Sequence, residues 1–481
     1  MAAAARAIPL PQPQVLRRVL AAGLIALVAL AVGATAVVSI QAATTFVLLV
    51  LLVAVRKESR SGGLLVMWSF WFLAPGLRRV FDLSGAAPGA DPLSLLPFAA
   101  TVLLAAMELW EDRLDRRARW ILGLGVAAIG LGLPMGLLVD PAAAIFAATA
   151  YGAAISAFVL GWGDGTSRIS VPTLHRALAV AMVPLSLYAI LQYFVVLPVW
   201  DSKWVASDPL GSLNAPQEGH IRIFSTLNAP FTFAILLAAG ILLVGLGRRR
   251  SLRRNLFLLV PSVLALALTY MRSAWLGLVV GLIVFAILMR GQVSKRVFVV
   301  AIVCTVVLIA AGSGNSTTRA FTERVTSLGS PGKDVSAQSR LERTNQLVPV
   351  AIRQPAGAGL GQSGLTSAKI GGSTDEFLTA VDNGYLSLLY QSGPVAFAML
   401  VAALGGSVVA AARGLRRREG LERQAQAALI AALAMLLVAL FAGEVLFGLP
   451  GAILWYLCGL AAASSRRAGG RVLERPVGSS H

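Results

Sequence analysis

Charged side chains are scarce in this chain: 13% of 481 residues, with 22 acidic against 41 basic. A chain so poor in charge, 57% apolar and with a mean hydropathy of +0.77, is excluded from the soluble globular class. There are two cysteines, Cys304 and Cys458, both inside apolar runs at different expected depths. That excludes a disulfide framework and leaves no thiolate metal set. The acids Asp201, Asp208, Glu218, Glu323, Asp334, Glu342, Asp375 and Glu376 form no DxD pair and no His/Asp cluster with metal spacing. Metal-independent chemistry without a cofactor is therefore expected, with arginines taking the charge role of a cation. An internal repeat of about 20 to 50 residues is also missing, and the two halves do not match, which disfavours a transporter built on paired repeats.

What is present is apolar run after apolar run. The formal charge of +19 would suggest nucleic acid in a soluble chain. Here the basic residues sit in short clusters between the runs, so the charge reads as membrane orientation and no nucleic-acid partner is expected. At roughly 20 residues per crossing, spans are predicted near 19–39, 43–55, 62–80, 94–110, 119–138, 142–161, 174–197, 225–246, 255–271, 274–290, 297–312, 384–411, 426–442 and 445–463. The second is short, so the expected fold is all-α and polytopic with 13 or 14 transmembrane helices. The first resembles a signal peptide, but its run is too long and more spans follow, so retention is expected. Placing both termini on the cytoplasmic side puts most Lys and Arg inside. Arg248 to Arg250 with Arg253 and Arg254, and Arg413 with Arg416 to Arg418, alternate correctly with short neutral outer turns. Arg78 and Arg79 are the one short-loop pair on the wrong side.

The chain then divides into N-terminal helices over 1–221 with an outer loop at 198–224, a transmembrane core over 222–312, a large extracytoplasmic loop over 313–383, C-terminal helices over 384–465 and a basic cytoplasmic tail over 466–481. In the large loop, Leu341, Thr344, Leu347, Val348, Ala351 and Ile352 recur at helical spacing, with Arg340 and Arg343 together on a neighbouring face. Pro355 ends that helix, and Gly357, Gly359 and Gly361 permit a tight return toward the membrane. The string from Gly359 to Gly364 is formally GxGxxG, but no strand precedes it, which argues against a dinucleotide site. Gly-rich turn geometry that touches a phosphate through backbone N–H groups is the alternative.

Asp382 and Asn383 open the next long apolar helix. Capping accounts for either residue; a chemical role requires cations converging on the same place. Arg272, in the outer turn between two apolar helices, is costly to hold at membrane depth. It reads either as a snorkelling residue or as a site for an anionic group, and Arg222 either as an interfacial anchor or as part of the same site. His220, the one outer imidazole, is either a loop residue or a general base tuned near pH 7. Glu444 reads as an interfacial turn residue or as an intramembrane acid.

In order and spacing these pieces resemble the O-antigen ligase and polymerase superfamily. The likeness runs through Arg222, Thr226-Leu227-Asn228-Ala229-Pro230, Tyr270-Met271-Arg272-Ser273-Ala274-Trp275-Leu276-Gly277, Ser339-Arg340-Leu341, Gln354 to Gly361, Asp382-Asn383-Gly384-Tyr385-Leu386 and Gln391-Ser392-Gly393-Pro394-Val395. It covers roughly 220–460. The resemblance implies a bacterial inner-membrane glycosyltransferase that takes a glycan from an undecaprenyl-diphosphate carrier on the outer leaflet. The acceptor would be a lipid A core sugar in the ligase branch or another carrier-linked repeat in the polymerase branch. Arg222, Arg272 and Arg340 fall where the family's essential periplasmic arginines lie. Ligases carry His where Asp382 stands, a departure that favours a polymerase or another acceptor.

The implied catalytic set is Asp382, Arg272, Arg222 and Arg340. Asn383, Tyr385, Arg343, Arg353, His220, Trp275, Gly359 and Gly361 are candidates for contacting substrate. A diphosphate leaving group needs charge stabilisation more than a proton donor, and guanidiniums supply it bidentately. Asp382, at a helix N-terminus near arginines, suits orientation and late acceptance of the acceptor's proton. A single displacement would invert the anomeric carbon. Expected partners are the carrier-linked glycan donor, a glycan or lipid-linked acceptor, membrane lipids and a chain-length regulator. The first 200 residues or so are assigned packing against the carrier lipid or a partner. Two rival classes are a flippase of lipid-linked oligosaccharide and a non-enzymatic scaffold of a glycan assembly complex.

Overall fold

A computed structural model describes residues 40–82, 92–110, 114–167, 171–195, 197–207, 213, 221–247, 252–289, 335–364, 378 and 381–470. Among them the chain is all-α. Its helices are α1 (Ile40–Glu58), α2 (Arg60–Phe81), α3 (Pro92–Trp110), α4 (Arg116–Gly130), α5 (Leu133–Val139), α6 (Pro141–Thr166), α7 (Thr173–Phe194) and α8 (Val199–Ala206). They continue with α9 (Pro230–Gly240, extended by a π-helical stretch Ile241–Leu246), α10 (Leu252–Leu268), α11 (Arg272–Leu288), α12 (Val335–Ile352), α13 (Gly384–Arg416), α14 (Gly420–Ala439) and α15 (Gly448–Gly470).

Seven segments are long and apolar enough to cross a membrane: Arg60–Phe81, Pro92–Trp110, Arg116–Val139, Pro141–Thr166, Thr173–Phe194, Gly384–Arg416 and Gly420–Ala442. Three shorter apolar helices accompany them, Pro230–Leu246, Arg272–Leu288 and Gly448–Ser464. This is a polytopic membrane protein. The spans expected at 19–39 and 297–312 lie outside the described residues, as does the tail beyond 470.

Helix starts follow the local sequence. Ser59 caps α2 through Gly62, Asp115 caps α4 through Ala118, and Asp140 caps α6 with Pro141 at its first position. The centre of the bundle is built by small residues. A Cβ on Gly161 of α6 would lie 2.0 Å from the Tyr456 carbonyl oxygen of α15, and one on Gly459 of α15 would lie 2.0 Å from that of Phe158. Two backbones that close exchange dispersion contacts along their whole length, the association mode available where apolar surface gains nothing from leaving lipid. Two thirds of the apolar windows of α6 and α14 are buried, against one third in Arg116–Val139, so the former are central and the latter peripheral.

Two spans read as continuous in the sequence are broken. Around 119–138 the helix is interrupted at Leu131 and Gly132, where the Gly132 carbonyl accepts the Leu360 amide at 2.8 Å. In α13, Gly393 is non-helical (φ 82°, ψ 174°) just before Pro394. Both breaks receive one object, the glycine-rich segment 357–364. It enters the bundle instead of staying on its polar surface, and Leu360 and Ser363 are fully buried. A Cβ on Gly393 would stand 2.3 Å from the Pro355 carbonyl oxygen. Gly393→Ala is therefore expected to destabilise the protein by about 1–3 kcal/mol, whereas Gly405→Ala on the same helix, with open space around it, should be neutral or better. Thermal unfolding in detergent compares the two.

Candidate active site

The motif that begins at Arg222 is held in place by a residue far away in sequence. Arg79, at the end of α2 and 2% exposed, forms an ion pair of 2.9 Å with Asp201 of α8. Its guanidinium also donates to the carbonyls of Ser225 (2.7 Å) and Leu227 (2.9 Å) and to Asn228 Oδ1 (3.1 Å), and lies over the Phe224 ring. Asp201 accepts further from Tyr188 (2.6 Å) and Gln192 (2.7 Å). Gln192 in turn accepts the Ser225 amide at 2.8 Å and donates to its carbonyl at 3.1 Å. These bonds hold Ser225 in the left-handed region at φ 57°, a conformation that costs a non-glycine residue and persists only where its surroundings fix it.

The second motif is built the same way. Tyr270 is left-handed at φ 55°, and its hydroxyl lies 2.9 Å from that of Tyr193. The Trp275 indole N–H donates to the Leu266 carbonyl at 3.0 Å, closing the turn between α10 and α11. Arg272 is thereby fixed as the first residue of α11, half-buried.

In the third motif, Asn383 and Asp382 divide the duties that the sequence left undecided. Asn383 Oδ1 accepts the amides of Tyr385 and Leu386, both at 3.1 Å, and so caps α13. The Asp382 carboxylate stays outside the helix and meets Arg340 of α12 at 3.7 Å. Asn383→Ala is expected to cost about 1 kcal/mol, read as a lower thermal midpoint. Tyr385 donates to the Leu437 carbonyl at 3.2 Å and packs on Phe441. Leu347 of α12 buries against Val381 and Leu386, which sets α12 across the start of α13.

The end of α14 gathers these motifs. Gly277 of α11 lies against Met435, Tyr385 reaches Leu437, Gly384 packs on Leu440, and Gly443 packs on Phe231 at the start of α9. Arg272 stands five residues before Gly277, about 7.5 Å further along the axis. Arg272, the 222–230 segment and the Arg340–Asp382 pair thus share one end of the bundle.

Residues 256–401 match the family model described as O-antigen ligase. Over that segment the chain is similar to the O-antigen ligase family. No curated protein matches the chain. The O-antigen ligase segment holds Arg272, Arg340, Arg343, Arg353, Gly359, Gly361, Asp382, Asn383 and Tyr385 and stops short of Arg222, so it is narrower than the likeness read from the sequence.

Several expected substrate contacts have other occupations within it. The Gly359 and Gly361 amides donate to the Gln391 carbonyl (3.0 Å) and side chain (2.7 Å), and Trp275 and Tyr385 hold backbone carbonyls. Arg343 is half-buried one turn from Arg340, whereas Arg353 is exposed at the far end of α12, roughly 20 Å along the axis. His220 lies outside the described residues. Below the site, Glu444 is buried, 3.4 Å from Ser387, which accepts from Gln391 and contacts Ser363.

Sequence reasoning missed Arg79, Asp201 and Gln192. The signal was the misplaced charge of Arg78 and Arg79. Arg79 is neutralised inside the protein, so it carries no weight in an orientation rule that concerns solvated loops.

Proposed function

We propose that this protein transfers glycan from an undecaprenyl-diphosphate carrier to an acceptor hydroxyl at the outer leaflet of a bacterial inner membrane, in cell-surface polysaccharide assembly. The observation that carries the proposal is the Arg340–Asp382 pair within the O-antigen ligase segment, at the same bundle end as Arg272. With side chains 38% and 63% exposed, such a pair contributes at most about 1 kcal/mol to stability. A site-building role accounts for it better than a folding role.

Arg272, Arg340 and Arg222 bind the diphosphate and stabilise the negative charge that grows on it. Asp382 orients the acceptor hydroxyl. The acceptor oxygen attacks the anomeric carbon, the bond to the diphosphate oxygen breaks, and the hydroxyl proton passes to the Asp382 carboxylate and then to water. One displacement inverts the anomeric configuration, and no metal is needed. The departure from the ligase pattern at Asp382 favours polymerisation, in which the acceptor is a second carrier-linked repeat and a chain-length regulator has a place.

The test is reconstitution in liposomes with carrier-linked saccharides, with products followed by mass and Arg272→Ala as control. A ladder of repeats supports a polymerase, and a single adduct on an added acceptor supports a ligase. Movement of saccharide between leaflets with no new glycosidic bond would instead establish a flippase, and the assigned roles would be lost. An inert assembly scaffold would tolerate Arg272→Lys in cells, where the enzyme would not.

A further inference from the structure

At the opposite end of the bundle, a cavity of about 350 Å³ opens between α6, α7, α14 and α15. Its lining changes character with depth. Asp164, His175, Arg418, Glu422, Gln426 and Ser464 stand toward that end of the bundle, beside the apolar Val171, Pro172, Leu174 and Leu421. Leu460 and Leu457 continue the wall one and two turns inward from Ser464 on α15, about 6 and 10 Å along the axis. Leu429 and Leu243 do the same on α14 and on the π-helical stretch after α9. A slot whose mouth mixes charged and apolar side chains and whose inner wall is aliphatic has the profile of an amphiphile.

The polar rim is preorganised. Gln426, 2% exposed, donates to the Ala411 carbonyl at 3.0 Å and the Ser464 hydroxyl at 3.1 Å, and accepts from Arg418 at 2.8 Å. The Arg418 guanidinium is thus set by a buried amide whose own position is fixed. Asp164 is the buried acid of the lining, and its carboxylate receives the Thr173 amide, the Thr173 hydroxyl and the Tyr456 hydroxyl. Its charge is satisfied by the protein. Arg418 and Glu422 line the mouth with Asp164, and the end of α13, the turn and the start of α14 add Arg413, Arg416, Arg417 and Arg423 against Glu419, so basic residues outnumber acidic ones there.

We infer that this cavity is a binding site for an anionic phospholipid, with the phosphate on Arg418 and the start of an acyl chain between Leu429, Leu457 and Leu460. An arginine at the mouth of an aliphatic slot recognises charge and chain together. The site lies at the far end of the bundle from Arg272 and Asp382 and does not rest on the glycan-transfer reading.

The test uses the full chain in nanodiscs and in detergent. Phosphatidylglycerol nanodiscs should raise the thermal midpoint above that in phosphatidylcholine, and native mass spectrometry should find one phosphatidylglycerol retained per chain through detergent exchange. Arg418→Gln should weaken retention tenfold or more, and Leu457→Trp, which fills the slot with the rim intact, should abolish it. Arg423→Gln, an exposed neighbour outside the cavity, should leave retention unchanged. Equal retention of both lipids by the wild-type chain overturns the inference whatever the variants do. Inorganic phosphate binding as tightly as the lipid, and lost in Arg418→Gln but not in Leu457→Trp, would identify a soluble phosphate site in its place.

Discussion

Replacing Arg272 with alanine is expected to lower glycan transfer by about 10²–10³-fold, the scale seen when one donor to a developing negative charge is removed. Arg272 opens α11, so its positive charge faces the positive end of the helix dipole, an arrangement that costs roughly 0.3–1 kcal/mol. The helix dipole therefore opposes an arginine at this position. An anion held there would favour one, because the guanidinium and the positive end of the helix both attract it. Arg272→Ala should lower activity far more than it lowers the thermal midpoint. Arg272→Lys keeps the charge but loses the planar fork, and a loss of at least about tenfold is expected. Initial rates with a carrier-linked donor, set beside thermal unfolding of the same preparations, measure both. Activity within about threefold of wild type in Arg272→Ala would remove this residue from the site.

The largest effect on stability is expected at Arg79. Removing one partner of a buried ion pair leaves the other charge uncompensated, at a cost of about 3–5 kcal/mol. In Arg79→Ala the stranded group is Asp201, whose side chain is fully buried, and the carbonyls of Ser225 and Leu227 lose donors as well. Asp201→Asn is expected to be milder, because the amide oxygen still accepts from Tyr188 and Gln192. The two variants also separate folding from function. A chain that tolerates Asp201→Asn but positions 222–230 less well should lose donor affinity before it loses turnover, seen as a raised KM with kcat largely kept. A thermal midpoint of Arg79→Ala within a degree or two of wild type would mean that the pair does not hold the motif.

How the pair escaped the sequence is instructive. Arg79 and Asp201 are separated by more than a hundred residues and belong to no shared motif, so nothing in one dimension couples them. The anomaly at Arg78 and Arg79 was visible as a violation of charge asymmetry, but its cause was a contact in three dimensions. The Gly359 to Gly364 string misled in a different way. Its glycines are required, as their positive φ values of 111°, 91° and 69° at Gly359, Gly361 and Gly364 testify. The requirement comes from the backbones of α5 and α6 crowding Gly359 and Gly361 and from the Glu444 and Ser387 side chains crowding Gly364, and such crowding is written on other parts of the chain. Asp382 and Asn383 were legible as a polar pair at a helix start. Which of them caps was not, because both can accept the same amides and the choice turns on a few tenths of an ångström.

The sequence by itself determined the class, an all-α polytopic chain in a membrane, and the ordered motifs that carry the O-antigen ligase likeness. It could do so because crossing a bilayer demands long apolar runs and internally satisfied backbones, constraints that act locally and leave a pattern in one dimension. Only the tertiary structure decided that α4–α5 and α13 break to admit segment 357–364, that Arg79 and Asp201 anchor the segment after Arg222, and that Arg272 and the Arg340–Asp382 pair lie at the same end of the bundle. Those facts depend on backbones approaching within contact distance and on charges finding partners across the bundle. Such contacts form between residues far apart along the chain, and no local composition encodes them.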